Sequence, residues 1–118
     1  MTNRFGFGRE FRLSKTKEIR RIIATGKSVD APHFKLKFAD NGLEVTRICI
    51  SVSRKIGSSP ARNRAKRLMR EIFRLNREKI KDGRDFLIIG KDEIGESRFQ
   101  SLEAEFMDVL KKKDLLKG

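Results

Sequence analysis

ISVSRKIGSSPARNRAKRLMREIFR, residues 50–74, changes its period midway. Its start continues an alternation that puts Ile48, Ile50 and Val52 on one face and Cys49, Ser51 and Ser53 on the other, which is strand spacing. Ser59 and Pro60 then offer an N-cap followed by proline at the first helical position. Beyond them, Leu68, Met69, Ile72 and Phe73 gather with Ala65 on one side of a helix, while Asn63, Lys66, Arg67, Arg70, Arg74 and Arg77 gather on the other. The stretch therefore predicts a strand, a loop and an amphipathic helix whose cationic face is about three turns, roughly 15 Å, long.

Working outward, residues 33–38, HFKLKF, alternate with Phe34, Leu36 and Phe38 on one face and Lys35 and Lys37 on the other. Asp40, Asn41 and Gly42 tolerate positive φ, so a hairpin turn should join this strand to the one ending near Val52. Residues 85–90, DFLIIG, form a continuous apolar run that suits a strand covered on both sides. A first helix is expected from a Ser14 cap through Ile19, Ile22 and Ile23 to a left-handed stop at Gly26, preceded by a basic arm over residues 1–12. A last helix is expected from near Ser97, with Phe99, Leu102, Phe106, Val109 and Leu110 at helical spacing and Lys111, Lys112 and Lys113 at its end. The order helix, strands, helix, strand, helix gives an α/β (α+β) two-layer sandwich of helices on a small sheet.

A chain of 118 residues with 37% hydrophobic content suits a single domain over residues 1–118. Its net charge of +13 is unevenly spread, +15 over residues 1–81 against −2 over the remainder. An excess so confined points to a polyanionic partner, nucleic acid before an anionic membrane. Cys49 stands alone, which excludes an intrachain disulfide and fits a reducing, cytoplasmic setting. No apolar run approaches a membrane span and the N-terminal residues lack the core of a secretory signal, so neither membrane nor export is expected.

Solvated helix faces usually mix signs at i,i+4, whereas this one repeats cations at 62, 66, 70 and 74, an arrangement that repels itself unless an anion is bound. Arginine's predominance favours bidentate recognition of phosphate. The outward faces of the two strands read Lys35, Lys37 and then Cys49, Ser51, Ser53, which describes either ordinary solvent-facing residues or a shallow positive trough.

Arg62-Asn63, Lys66-Arg67 and Arg70, preceded by ISVSRKIG over residues 50–57, resemble the signature of the bacterial ribonuclease P protein subunit, and the similarity runs from about Leu13 to Leu116. The resemblance implies a small mixed sheet with a ribosomal-protein-S5-domain-2-like, left-handed crossover through the basic helix. It also implies a subunit that assists a catalytic RNA in removing the 5′ leader of precursor transfer RNA. Chemistry would lie with Mg2+ held by the RNA, with no catalytic or metal-binding residue in the protein and no protein partner required. Carried over by position, Arg54, Lys55, Arg62, Asn63, Arg64, Lys66, Arg67 and Arg70 would face RNA. A cleft of Ile19, Ile23, Lys35, Lys37, Ser51 and Ser53 would hold the leader. Ile19 and Ile23 stand where the family often has phenylalanine, and isoleucine lacks the ring on which a base stacks, a contact worth about 1 to 3 kcal/mol.

Other readings compete. Asp82, Asp85, Asp92, Glu93 and Glu96 lie close enough in sequence to suggest a two-metal nuclease, although they flank a buried strand as loop acids do. His33 has no second histidine as acid/base partner and reads as an exposed strand-edge residue. A small ribosomal protein would share the charge, and a DNA-reading helix would lack the second helix of a helix-turn-helix.

Overall fold

The computed structural model describes residues 16–118. The expected basic arm and the Ser14 cap lie outside them. Three helices, α1 (Thr16–Thr25), α2 (Ser59–Asn76) and α3 (Phe99–Lys112), accompany four strands, β1 (Lys27–Asp30), β2 (Phe34–Asp40), β3 (Arg47–Ser51) and β4 (Arg84–Gly90). The sheet order is β1-β2-β4-β3, with β3 and β4 parallel and the other neighbours antiparallel. The α+β architecture with a small mixed sheet is as expected, and the basic helix α2 is the crossover between the parallel pair.

The expected hairpin between β2 and β3 does not form, because β4 lies between them. Gly42 does take a positive φ of 72°, but it serves a wider loop in which Asn41 holds the Leu43 amide and the Val45 carbonyl. β4 is one of two interior strands, and Asp85, Phe86, Leu87 and Ile88 are all buried, as a run covered on both faces requires. β1 carries no strand signal of its own: KSVD is short, mostly exposed and without alternation, and it forms only by pairing with β2.

The main core lies between one sheet face and helices α2 and α3. Phe34, Leu36, Ile48, Ile50, Phe86 and Ile88 meet Met69, Ile72, Phe73, Leu102 and Phe106 there. Phe86 has edge-on partners in Phe73 and Phe106, with ring centroids 6.4 and 6.5 Å away. α1 lies on the other face, where Ile22 and Leu87 form a small second cluster.

Helix ends depart slightly from expectation. Ser58, not Ser59, caps α2, its hydroxyl accepting from the Ala61 amide at 3.2 Å, and Pro60 lies in the first turn where no intrahelical donor is needed. Gly26 is needed for space rather than for a left-handed φ. A Cβ there would lie 2.4 Å from the Ile22 carbonyl oxygen and 2.8 Å from that of Phe38, so only glycine lets the chain turn from α1 into β1 against the sheet.

Candidate nucleic-acid interface

α2 presents its cationic face because Ala65, Met69, Ile72 and Phe73 are buried on the opposite side. Its basic residues fall into two classes. Arg62 donates from Nη1 to the carbonyls of Arg54 and Gly57, at 3.0 and 2.8 Å, and from Nη2 to the Ser59 hydroxyl. It closes the loop after β3 and so fixes Arg54 and Lys55, both exposed, beside the helix. Arg64 donates from Nη1 to the carbonyls of Gly95 and Ser97, at 2.7 and 2.8 Å. The loop comes this close because residue 95 is glycine, a Cβ there lying 2.4 Å from the Ala61 carbonyl oxygen.

Arg74 is gripped by Glu71 through both Nε and Nη2, which holds the Glu71 carboxyl below its usual pKa. The repeat at 62, 66, 70 and 74 is therefore less self-repelling than its spacing suggests, its two ends being engaged by carbonyls or a carboxylate. Lys66, Arg67 and Arg70 have no hydrogen-bond or ion-pair partner among the described residues, and Asn63 beside them is exposed.

The second surface is the face of the sheet that carries α1. Strand register sets its rows across the sheet: Lys35, Ile89 and Ser51 form one, and Lys37, Leu87 and Cys49 the next. Lysines and small residues therefore stand two strands apart, roughly 10 Å at normal strand spacing, with a floor of apolar side chains between them. Alternation within β2 and β3 does not reveal that floor, because it comes from residues 85–90 lying between the two strands. Ser53 is exposed in the loop beyond β3.

Ile19 is half-buried against the Ile22 and Leu87 cluster, whereas Ile23 is 53% exposed. Ile22, absent from the expected cleft residues, anchors the helix to Leu87. Lys35 and Lys37 are half-buried and their side chains make no hydrogen bond among the described residues, although the charge of Lys35 helps hold the Asp30 carboxyl below its usual pKa. Burial raises the Cys49 thiol above its usual pKa, and the positive charges of Arg70 and Lys66 oppose the rise. Those two cations thus act on the furrow as well as on the ridge, and the surfaces adjoin along the β3 edge.

An ion-pair network fixes α1 over the furrow. Buried Asp85 accepts from Arg47 Nε and Nη2 at 2.9 and 2.8 Å and from Asn41 at 2.8 Å, while Arg21 of α1 stands 3.6 Å away. Arg47 also reaches Glu18 of α1 at 3.1 Å. Asp85 is consequently committed to arginines rather than to a metal. Asp82 is 3.6 Å from Lys117, and no three His, Cys, Asp or Glu side chains among the described residues come together as metal ligands. His33, expected to be an exposed strand-edge residue, is instead half-buried and meets Glu105 through its backbone amide and through Nδ1, at 3.0 and 2.6 Å.

The family model for ribonuclease P matches residues 7–114. The chain belongs to the ribonuclease P protein family. The ribonuclease P protein component of Caldanaerobacter subterraneus is 38% identical over 104 residues, spanning 88% of this chain and 90% of the relative. That of Pelotomaculum thermopropionicum is 39% identical over 103 residues, spanning 87% and 92%. Among solved structures, the Staphylococcus aureus RNase P protein superposes with a TM-score of 0.82 at 27% identity, covering 91% of this chain and 98% of that one. The Thermotoga maritima RNase P protein gives 0.78 at 32% identity, covering 86% and 96%. As a protein component of ribonuclease P, the chain works with an RNA subunit in 5′ processing of transfer RNA. No helix among the described residues is long and apolar enough to cross a membrane.

Proposed function

We propose that this chain binds the catalytic RNA through the α2 ridge and the 5′ leader of precursor transfer RNA through the furrow. The observation that carries the reading is the set of cations whose side chains have no hydrogen-bond or salt-bridge partner among the described residues, Lys66, Arg67 and Arg70 on one side and Lys35 and Lys37 on the other, the lysines bordering half-buried Ile89. Asn63, Arg54 and Lys55 extend the ridge. Arg62 and Arg64 serve it chiefly by bracing the two loops that flank the first turn of α2, each keeping further guanidinium donors for phosphate.

In the furrow, lysines supply phosphate attraction while half-buried Ile89, with exposed Ile23, supplies apolar contact that does not depend on base identity. Mg2+ belongs with the RNA in this reading, and the protein's own residues bind and orient. The domain works as one unit in the cytoplasm, where precursor transfer RNA is made.

The test is to measure affinity of the complex between this chain and a bacterial ribonuclease P RNA for precursor and for mature transfer RNA, at low magnesium. Tighter binding of precursor is expected. Equal affinity for the two would overturn the leader role.

A further inference from the structure

We propose that the concavity between α2 and the start of α3 is a pocket for one unstacked nucleotide of the catalytic RNA, with Phe99 and Leu68 receiving the base and arginines receiving the phosphate. This deepens the RNA-binding reading of α2. The concavity, of about 510 Å³, is lined by Arg64, Arg67, Leu68, Arg70, Glu71, Arg74 and Phe99. Its size lies within the roughly 300–1,000 Å³ usual for small-molecule sites. It is separate from the furrow, which lies on the other face of the sheet.

Three features select a nucleotide. Leu68 and Phe99 are only partly buried although both pack against the main core, so a fixed apolar surface including one flat ring remains open to a ligand. Four guanidinium groups surround that surface. Two are held in place from behind: Arg64 by the Gly95 and Ser97 carbonyls, and Arg74 by Glu71. Immobilised guanidinium planes lose less freedom on binding than free ones do. The one carboxylate present, Glu71, is engaged by Arg74 and opposes an incoming phosphate less than a free acid would.

A bare phosphate would leave the apolar surface unused, and an apolar ligand would leave Arg67 and Arg70 uncompensated. A nucleotide answers both demands, since its base stacks on a ring and its phosphate accepts from arginine. Arg67 and Arg70 also belong to the unpaired ridge, which makes the pocket continuous with the RNA surface and favours a nucleotide of that RNA over a free one.

Two measurements test this. In the first, NMR of the intact chain follows side-chain resonances of Leu68, Phe99 and Arg67 during titration with AMP, UMP or ribose 5-phosphate. Both nucleotides should shift all three residues, whereas ribose 5-phosphate should shift Arg67 alone. Equal shifts at Phe99 with ribose 5-phosphate, or nucleotide shifts confined to the furrow, would overturn the pocket. In the second, Phe99→Leu, which keeps apolar bulk and removes the ring, should bind a bacterial ribonuclease P RNA about tenfold more weakly while keeping the preference for precursor over mature transfer RNA. Unchanged RNA affinity in Phe99→Leu, with nucleotide shifts intact in the native chain, would assign the pocket to free nucleotides and overturn the RNA source. Should Phe99→Leu unfold, Phe99→Met, which also keeps apolar bulk without a ring, is measured the same way in its place. Because the titration contains no catalytic RNA, its result is independent of whether the wider proposal survives.

Discussion

Asp85 shows what decides a residue's role here. Its sequence neighbourhood of acids suggests metal chemistry, but the fold surrounds it with Arg47, Asn41 and Arg21 and excludes water from it. Removing one partner from a buried pair leaves the other uncompensated, so Asp85→Asn should lower unfolding free energy by about 3 kcal/mol in urea denaturation. A loss below about 0.5 kcal/mol would mean that Arg47 finds water or Glu18 sufficient. Arg62 and Arg67 make a second contrast between side chains of one type. Arg62→Lys loses the fork by which Nη1 meets the Arg54 and Gly57 carbonyls while Nη2 meets the Ser59 hydroxyl, and should cost about 1–3 kcal/mol in stability, read in the same denaturation. Arg67→Ala should leave the thermal midpoint unchanged and weaken catalytic RNA binding about tenfold. In the sequence both are simply cations of one motif. Which of them is bound to backbone depends on loops folding back from residues 54–57 and 95–97, and no local pattern records that.

At the scale of elements, α2 is legible in the sequence because proline and apolar period agree, with the cap misplaced by one serine, and its two faces differ sharply in polarity. α3 and the alternation in β2 are legible for the same reason. Strand order is not, because pairing β3 with β4 across α2 depends on which buried faces match in three dimensions, whereas a turn-forming Asn-Gly suggests the nearer partner. That single difference hides the furrow floor, although the residues on its two rims do share one side of the sheet. α1 tests the consequence. It is held over the furrow by Ile22, by the Asp85 network and by the close turn at Gly26. Gly26→Ala must move the helix away from the Phe38 carbonyl. It should reduce the precursor preference severalfold while leaving catalytic RNA affinity within about twofold, since the α2 ridge is untouched. Comparable losses in both assays would mean that α1 and α2 do not act as separable supports.

Across the whole molecule, charge is distributed by surface rather than by chain segment. Several acids of residues 82–118 are engaged in pairs, such as Asp114 with Lys81, Asp108 with Lys112 and Glu105 with His33, whereas Lys66, Arg67 and Arg70 of the ridge have no such partner among the described residues. Each phosphate neutralised by a lysine or arginine releases counterions, so catalytic RNA binding should weaken steeply with salt. The two surfaces are not electrically independent, because Arg70 acts on the thiol of Cys49, which shares its row with Leu87 and Lys37 on the furrow side. Arg67, less than one turn from Arg70 on the same helix, serves as the comparison. Arg70→Ala should therefore do two things at once. It should lower the log–log salt slope of catalytic RNA binding by about one, as the loss of one phosphate contact requires, and it should also reduce the preference for precursor over mature transfer RNA. Arg67→Ala should share the first effect and leave that preference as it is in the native chain. An identical precursor preference in the two variants would mean that ridge and furrow bind their RNAs as separate electrostatic surfaces despite adjoining along β3.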